Sequence, residues 1–220
     1  MTKSTLFLIL SAYLLGSIPF SHLITRWRTG LAIREVGEGN VGSRNVWHVT
    51  GPGWGALAFA LDTLKGLSVF LIGVALSVPL ASIGLAGIAA VLGHQFSIFL
   101  HGQGGKGLAT ILGVMLGLSP LSTISGLALM GLAYLFFRDF NPSVIAGALG
   151  IIFLPLLFGQ PLVISIYALG MGLLAGVKKL LDRQHEARVW AAHPWEGSAR
   201  PGFHQDESNE QAPSPDTGPC

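Results

Sequence analysis

Residues 54–78 read WGALAFALDTLKGLSVFLIGVALSV, an apolar run whose only charged residues are Asp62 and Lys65. A helix needs about 20 mostly apolar residues to cross a bilayer, so this run is long enough to span a membrane. Similar apolar stretches occur at 6–24, 80–100, 108–118, 121–137, 144–158 and 162–177. Only 11% of the 220 residues are charged, compared with about 25% in an average soluble protein. The sequence therefore predicts an all-α polytopic membrane protein.

The number of transmembrane helices depends on residues 108–137, which are too long for a single span. Ser119-Pro120 divides this stretch, because proline lacks the N–H that a helix interior requires. Seven helices with an external N-terminus place every basic loop in the cytosol, whereas six would leave some basic residues on the opposite face. We therefore predict seven transmembrane helices with cytosolic motif loops, and keep six as the alternative. The basic residues concerned are Arg26, Arg28, Arg34, Arg44, Lys106, Arg138, Lys178, Lys179, Arg183 and Arg188.

Composition divides the chain into two parts and excludes several classes of function. Residues 1–190 form the predicted membrane domain, and residues 191–220, rich in Pro, Ser, Asp, Glu and Gln, are predicted to be a disordered cytosolic tail. The net charge of +2 and the lack of a basic stripe argue against a nucleic-acid partner. Cys220 is the only cysteine, so no disulfide within the chain is expected. No constellation of metal ligands stands out, and neither a metal nor a cofactor is expected.

A glycine-lysine loop, GQGGKGLAT at residues 102–110, is the first candidate site. Glycines free the backbone to aim several N–H groups at one anion, and Lys106 adds a positive charge beside them. The loop leads directly into an apolar helix, whose N-terminus also favours phosphate. A flexible turn that carries one cytosolic lysine is the alternative interpretation.

A first cytosolic loop, REVGEGNVGSRNVWHVTG at residues 34–51, is the second candidate. Its glycines and asparagines tolerate left-handed backbone conformations and favour a tight, donor-rich structure. Arg44 and His48 are four residues apart and would share one face of a helix. Loops of this length are more often functional or disordered than inert, and an ordinary polar loop is the alternative.

Asp62 and Lys65 form the third candidate, inside an otherwise apolar span. Their separation of three residues allows them to pair on a helix, and such a pair within a membrane would face the protein interior. A structural pair and a direct substrate contact are both compatible with this placement. In the first span, Pro19 is expected to kink the helix.

Several motifs together resemble the bacterial acyl-phosphate-dependent glycerol-3-phosphate acyltransferases. YLLGSIPF at 13–20, GNVG at 39–42 followed by Asn45, LDTLKG at 61–66, GHQF at 93–96 and GGKGLAT at 104–110 occur in that order. The resemblance extends from about residue 13 to residue 188. It implies seven transmembrane helices, an external N-terminus and cytosolic motif loops.

The resemblance also implies an activity. Members of this family transfer an acyl group from acyl-phosphate to glycerol 3-phosphate, which yields lysophosphatidic acid for phospholipid synthesis. The implied partners are these two substrates, membrane lipid and the upstream enzyme that makes acyl-phosphate. The implied location is the cell (inner) membrane, with the active site on the cytosolic face.

The roles of individual residues follow from the resemblance as well. The implied catalytic residues are His94, Asn40, Asn45 and Lys106. The implied phosphate-binding residues are Gly104, Gly105, Lys106, Gly107, Arg44 and Ser43, and further candidates are Asp62, Lys65 and His185. The chain departs from the family pattern where Glu38, His48 and Arg188 stand in place of the usual Ser, Arg and Asn. It departs again before Asn45, where Ser43-Arg44 stands in place of the usual Ala-Thr.

Two other classes of function remain open at this stage. The departures at Glu38, His48 and Arg188 are compatible with a diverged relative that binds a phosphorylated lipid or metabolite without turnover, or that uses another acceptor. A small-anion transporter is the second alternative. It would need a polar path across the bilayer, and the chain shows no internal repeat of the kind that many transporters have.

Overall fold

The computed structural model describes residues 2–192 of the chain. Met1 and residues 193–220 lie outside the described residues. The latter include Cys220 and all of the predicted tail except residues 191 and 192. Residues 2–192 contain helices and turns but no β-strand. For this part of the chain, the prediction of an all-α architecture is confirmed.

Nine α-helices follow one another within residues 2–192. They are α1 (Lys3–Ser17), α2 (Phe20–Thr29), α3 (Ser43–Thr50), α4 (Pro52–Ala75), α5 (Leu80–Gln95), α6 (Leu108–Leu118), α7 (Pro120–Phe137), α8 (Phe140–Leu157) and α9 (Leu162–Ala192). Short 3-10 helices lie in two of the connections, at Ile33–Glu35 and Ile98–Leu100. Proline is the first residue of α4 and of α7, where its fixed φ suits a helix start and its missing N–H is not needed.

Six helical segments within the described residues are long and apolar enough to cross a membrane. They are Lys3–Thr29, Pro52–Ala75, Leu80–Leu100, Pro120–Phe137, Phe140–Leu157 and Leu162–Ala192. The predicted break at Ser119-Pro120 is confirmed, because α6 ends at Leu118 and α7 begins at Pro120. The apolar helix α6 has only 11 residues and is about 16 Å long, compared with a hydrocarbon core of about 30 Å. The chain is thus a multi-pass membrane protein, and the count of seven spans stays a prediction.

The first span is broken at Pro19, as predicted, and polar side chains from other parts of the chain donate hydrogen bonds to the freed carbonyls. α1 ends at Ser17 and α2 begins at Phe20, which leaves backbone carbonyls without helical partners. Lys65 Nζ of α4 donates to the carbonyl oxygens of Gly16 at 2.9 Å and Ile18 at 3.0 Å. Ser97 Oγ donates to the carbonyl oxygen of Ser17 at 2.5 Å. The carbonyl oxygens of Gly16, Ser17 and Ile18 at the break are therefore all hydrogen-bonded.

Glycines set the closest helix contacts. A Cβ atom at Gly93 of α5 would collide with the carbonyl oxygen of Tyr13 in α1. In the same way, a Cβ atom at Gly113 of α6 would collide with the carbonyl oxygen of Thr63 in α4. Lipid offers no hydrophobic driving force between helices, so their association depends on such close packing of small residues. These two helix pairs form the frame of the molecule.

Two apolar clusters fill this frame. The larger one joins α1, α4, α5, α6 and α9, and it includes the fully buried Val69, Ala90, Val114 and Met171. The smaller one lies beneath the first loop (residues 34–51) and consists of Ile24, Ile33, Val41, Val46 and Ala58. The first loop is therefore anchored to the helices by its own small core.

We predict that Gly113→Ala lowers the free energy of unfolding, because the added methyl group must push α4 and α6 apart. Overpacking of this kind typically costs about 1–3 kcal/mol. Thermal unfolding of the purified protein in detergent measures the change. Gly131→Ala on α7 is the matched control, since no atom lies within 4 Å of its Cβ position, and alanine favours a helix over glycine by about 1 kcal/mol. Equal stability of the two variants would contradict the packing role of Gly113.

Candidate functional site

A buried ion pair lies in the middle of α4. Lys65 Nζ is 2.9 Å from Asp62 Oδ1, and the exposed side-chain fractions are 3% for Lys65 and 2% for Asp62. Ser21 Oγ of α2 donates a long hydrogen bond of 3.4 Å to the second carboxylate oxygen, Asp62 Oδ2. The predicted pairing of these two residues is confirmed. The pair faces the break in the first span.

His94, in the last turn of α5, points at the same carboxylate. Its Nδ1 lies 3.7 Å from Asp62 Oδ1 and 3.4 Å from Thr110 Oγ1 of α6. A Cβ atom added to Gly105 would stand 2.5 Å from His94 Nε2, so the glycine-lysine loop covers the other edge of the ring. The imidazole is therefore enclosed by α4, α6 and the glycine-lysine loop.

A small cavity connects these groups with the two candidate loops. Its volume is about 10 Å³, enough for one water molecule. Its lining residues are Gly16, Ser17, Ile18, Pro19, Phe20, Ser21, Val41, Asp62, His94, Ser97, Leu100 and Gly104. Four motifs that are far apart in the sequence thus meet at one point: the helix break, the buried pair, the first loop and the segment from His94 to the glycine-lysine loop.

Gly104 and Gly105 of the glycine-lysine loop pack closely against neighbouring backbone. The N–H of Gly104 donates to the carbonyl oxygen of Gln95 at 3.0 Å, and the N–H of Gly105 donates to that of His94 at 3.1 Å. A Cβ atom at Gly104 would collide with the carbonyl oxygen of His94, and one at Gly105 with that of Val41. In this conformation these two N–H groups are not available to a phosphate. The phosphate-binding role of Gly104 and Gly105 stays a prediction.

The end of the glycine-lysine loop keeps the features of an anion site. Gly107 has a φ of +84° and precedes the first turn of α6, a conformation that glycine adopts without strain. The first N–H groups of a helix have no partner within that helix, and they lie here beside Lys106. The side chain of Lys106 pairs with Glu186 of α9, at 2.7 Å between Nζ and Oε1. A phosphate at this place would compete with Glu186 for the ammonium group.

Asn45 organises the first loop from within. Its side chain is fully buried, and Oδ1 accepts a hydrogen bond of 2.8 Å from the N–H of Glu38. Nδ2 donates to the carbonyl oxygens of Ile33, Val36 and Asn40 at 2.9–3.0 Å. Because its donors and acceptor are all engaged in the loop, we assign Asn45 a positioning role. A direct contact of Asn45 with the reacting groups stays a prediction.

Glu38 is the polar centre of the first loop. Its Oε1 lies 2.9 Å from Arg44 Nε and 3.0 Å from His48 Nδ1, while Oε2 accepts a hydrogen bond of 3.1 Å from Asn40 Nδ2. The prediction that Arg44 and His48 share one helix face is confirmed, since both belong to α3 and reach the same oxygen. Two of the positions that depart from the family pattern, Glu38 and His48, are therefore in direct contact.

The same contacts determine the charge of Glu38. Burial by itself would raise the pKa of this carboxyl, but the hydrogen bond from His48, the charge of Arg44 and the hydrogen bond from Asn40 together outweigh it. The pKa of Glu38 consequently lies below its ordinary value. Glu38 is thus a carboxylate at neutral pH. Ser43, the first residue of α3, makes no side-chain hydrogen bond with the described part of the chain.

The end of α9 fastens the first loop to the membrane domain. His185 Nε2 lies 2.9 Å from the carbonyl oxygen of Arg34. Arg34 Nη2 is 3.3 Å from Asp182 Oδ1, and Lys178 Nζ is 2.6 Å from Asp182 Oδ2. His185, a predicted site residue, therefore contacts the backbone of the first loop and does not line the cavity. Arg188 is exposed, and its Nε donates a long hydrogen bond to the carbonyl oxygen of Gln184 in its own helix.

The predicted site residues fall into two layers, and sequence reasoning missed some of their partners. His94, Asp62 and Lys65 form the buried layer, whereas Lys106, Arg44, Asn40 and His185 form the outer one. The missed partners are Ser97, Thr110, Asp182 and Glu186. Lys178, Asp182 and Glu186 follow one another at intervals of four residues, the spacing of one helix face. That spacing was the signal in the sequence for the acidic face of α9.

Comparison with known proteins gives consistent matches. The family model described as glycerol-3-phosphate acyltransferase matches residues 6–185. A glycerol-3-phosphate acyltransferase of Geotalea daltonii is 41% identical over 151 residues, which cover 69% of this chain and 77% of the relative. One from Synechococcus elongatus is 37% identical over 181 residues, which cover 79% of this chain and 86% of the relative.

Two solved structures are similar to the whole membrane part. Both are crystal structures of PlsY (YgiH), an integral membrane glycerol 3-phosphate acyltransferase. The glycerol 3-phosphate form is 33% identical in sequence, with a TM-score of 0.75, and the match covers 86% of this chain and 93% of that one. The lysophosphatidic acid form is 32% identical, with a TM-score of 0.73.

We predict that Lys65→Met strongly destabilises the protein. The substitution leaves Asp62 charged and buried without its cation, and it removes the donor to the carbonyls of Gly16 and Ile18. Removing one partner of a buried ion pair costs about 3–5 kcal/mol. Thermal unfolding in detergent would show this as a large drop in midpoint. The double variant Asp62→Asn with Lys65→Met is expected to lie between the single variant and the wild type, because it buries no charge. A wild-type midpoint for Lys65→Met would refute the structural role of this lysine.

Proposed function

Because this chain belongs to the glycerol-3-phosphate acyltransferase family, we propose that it transfers an acyl group from acyl-phosphate to glycerol 3-phosphate. The product is lysophosphatidic acid. The observation that carries the proposal is the position of the glycine-lysine loop. Gly105 contacts both His94 in the buried layer and Val41 in the first loop, and Lys106 follows it at the surface. A water-soluble phosphate and a membrane-borne acyl chain can meet at such a loop.

The phosphate groups bind in the outer layer. Lys106 and Arg44 are its most accessible cations, with exposed side-chain fractions of 22% and 39%. Lys106 is held by Glu186, which a phosphate dianion can replace, whereas Glu38 holds Arg44 through Nε and leaves its two terminal nitrogens for a phosphate. The hydroxyl of Ser43 and the first N–H groups of α6 supply further donors. Together these groups balance the charge that a phosphoryl leaving group carries.

The acyl chain lies at the lipid-facing side of the same elements. Phe96 and Leu108 are large apolar residues with exposed fractions of 40% and 44%. Phe96 stands two residues after His94, and Leu108 stands two residues after Lys106. A fatty chain that packs against these side chains places its carbonyl next to the polar layer. The bilayer is therefore part of the binding site for this substrate.

The reaction needs positioning and charge stabilisation more than a strong base. The glycerol oxygen attacks the carbonyl carbon of the mixed anhydride, a C–O bond forms, and the C–O bond to phosphate breaks. The departing phosphate takes up the proton of the hydroxyl. His94 and Asn40 orient the carbonyl and the hydroxyl, while Lys106 stabilises the phosphate that leaves. Fixed donors around reactants held in contact account for large rate effects without a covalent intermediate.

The proposal includes an orientation in the cell membrane. We place the N-terminus outside and the two candidate loops in the cytosol, because the basic residues cluster at the ends of α2, α5, α7 and α9. In this arrangement α6 crosses as a seventh, short span. Its length of about 16 Å recesses the glycine-lysine loop below the membrane surface. Irregular backbone is tolerated at such depth where it is buried in protein, as Gly104 and Gly105 are. An interaction with the enzyme that makes acyl-phosphate remains part of the proposal.

A second candidate function keeps the binding but not the turnover. The pairing of Arg44 and Lys106 with carboxylates of the chain is what favours a diverged relative that only holds a phosphorylated lipid or metabolite. Its binding chemistry is the same, and the formation of product separates the two. Small-anion transport has no comparable support, because Asp62 and Lys65 are buried and their charges are paired with each other.

We predict that the purified protein forms lysophosphatidic acid from acyl-phosphate and labelled glycerol 3-phosphate, and that Lys106→Ala abolishes this activity. Loss of one charge-stabilising donor typically lowers the rate by about 10²–10³. Lys179→Ala is the matched control, since Lys179 is an exposed lysine of α9 whose contact, at 3.5 Å, is with Asn141. An active Lys106→Ala variant would refute the role of the lysine. A wild-type protein that binds both substrates without product would favour the second candidate function.

The orientation is tested by labelling single cysteines in intact cells. In a Cys220→Ser background, Ser77→Cys lies in the turn between α4 and α5, and Arg183→Cys lies near the end of α9. Both positions are exposed. We expect a membrane-impermeant maleimide to label Ser77→Cys in intact cells and Arg183→Cys only after the membrane is opened. The reverse pattern would overturn the proposed orientation.

A further inference from the structure

The carboxylate of Glu38 holds three donors of the outer layer at once. Arg44 Nε and His48 Nδ1 both lie within 3.0 Å of Oε1, and Asn40 Nδ2 donates to Oε2 at 3.1 Å. Arg44 and Asn40 are two of the groups that the proposed function assigns to substrate. A negative charge among phosphate-binding groups would ordinarily weaken binding of a dianion. A favourable contribution of Glu38 to substrate binding must therefore offset this repulsion.

The backbone around Glu38 keeps its side chain directed at α3. Gly37 and Gly39, on either side, have φ angles of +61° and +69°, a region that residues with a side chain rarely adopt. The N–H of Glu38 donates to Asn45 Oδ1 at 2.8 Å. A Cβ atom at Gly39 would stand 3.0 Å from Val189 of α9. The turn is thus fixed from both sides, and Glu38 is presented by a rigid support.

Arg44 is held between two partners as a result. Glu38 contacts its Nε, and the ring of Phe140 at the start of α8 lies 4.6 Å from its guanidinium carbon. The closest ionic contact runs through Nε, and the terminal Nη1 and Nη2 are the pair of donors that fits two phosphate oxygens. An arginine without such partners would lose much more side-chain entropy on binding. The two contacts therefore prepare the guanidinium for a bidentate phosphate contact.

We propose that Glu38 is a positioning residue for the acceptor, which acts through Arg44 and Asn40 and sets the affinity for the phosphate of glycerol 3-phosphate. This inference rests on the proposed function. The Glu38 carboxylate then has a favourable net effect on acceptor binding, because the order that it imposes on Arg44 and Asn40 outweighs its repulsion of the phosphate. The opposite balance would make Glu38 an inhibitor of acceptor binding.

The direction in which Glu38→Gln changes the KM for glycerol 3-phosphate distinguishes positioning of Arg44 from repulsion of the phosphate. If Glu38 positions Arg44, Glu38→Gln raises the KM for glycerol 3-phosphate about tenfold and leaves the KM for acyl-phosphate and kcat within about twofold, which corresponds to about 1.4 kcal/mol of acceptor binding. If repulsion dominates, the same variant lowers the KM for glycerol 3-phosphate, and the proposal is overturned. Glu35→Gln is the matched control, because Glu35 is an exposed glutamate of the same loop. It is expected to leave all three constants unchanged.

A double-mutant cycle tests whether Glu38 acts through Arg44. Glu38→Gln should have little further effect on KM in an Arg44→Ala background, and independent, multiplicative effects would overturn this pathway. Thermal unfolding of each variant shows whether the fold is kept. If Glu38→Gln lowers kcat and the unfolding midpoint and does not raise the KM for glycerol 3-phosphate above that for acyl-phosphate relative to the wild type, the role is merely structural and the proposal fails.

A binding measurement keeps this inference separate from the proposed turnover. Stabilisation of the purified protein against heat by glycerol 3-phosphate yields a dissociation constant without any reaction. If the wild type binds but forms no product, the turnover fails, and a tenfold weaker binding by Glu38→Gln still supports the positioning role. If the wild type does not bind glycerol 3-phosphate at all, the proposed acceptor and this inference fail together.

Discussion

A single buried ammonium group joins the parts of this protein that its function requires. Lys65 Nζ is shared between the carboxylate of Asp62 and the carbonyl oxygens that the break at Pro19 exposes. The hydrocarbon core of a bilayer supplies no water to hydrogen-bond those carbonyls, so a broken span needs donors from the protein itself. The broken span in turn forms one wall of the cavity, and Asp62 and His94 form another. Without the lysine, neither the break nor the buried carboxylate would be stable within lipid.

The outer layer follows a similar rule of charge compensation, but its pairs are more accessible. Lys106 is paired with Glu186 and Arg44 with Glu38, so the cations proposed to hold substrate phosphates are already ordered before a substrate arrives. The acidic face of α9 provides part of this order and also secures the first loop through Asp182. The two layers therefore combine rigidity at depth with accessible charges at the surface. This is a suitable arrangement for a reaction between a cytosolic dianion and a chain dissolved in the membrane.

Much of the fold and part of the site could be predicted from local patterns. The apolar stretches, the breaks at Pro19 and Pro120, and the pairing of Asp62 with Lys65 all depend on residues close in sequence, and the structure has each of them. The role of Gly104 and Gly105 could not be predicted in this way. A glycine-rich loop is compatible both with an open anion site and with tight packing, and only the position of His94 and Val41 shows how tightly these glycines are packed. For Asn45 the same holds, since its four partners are spread over the folded loop.

By itself, the sequence determined that the chain is helical and apolar, where its helices break, which motifs it carries and hence its family. These properties depend on hydrophobicity, backbone chemistry and spacing, which act over a few residues. The tertiary structure alone decided which polar groups from separate segments meet. Glu186 pairs with Lys106, His185 contacts the backbone of the first loop, and Glu38 contacts His48. Such contacts depend on how separate helices approach one another, and no local pattern encodes that distance. Lys65 illustrates both kinds of contact. Its pairing with Asp62 follows from their spacing in the sequence, whereas its hydrogen bonds to the first span depend on the tertiary structure.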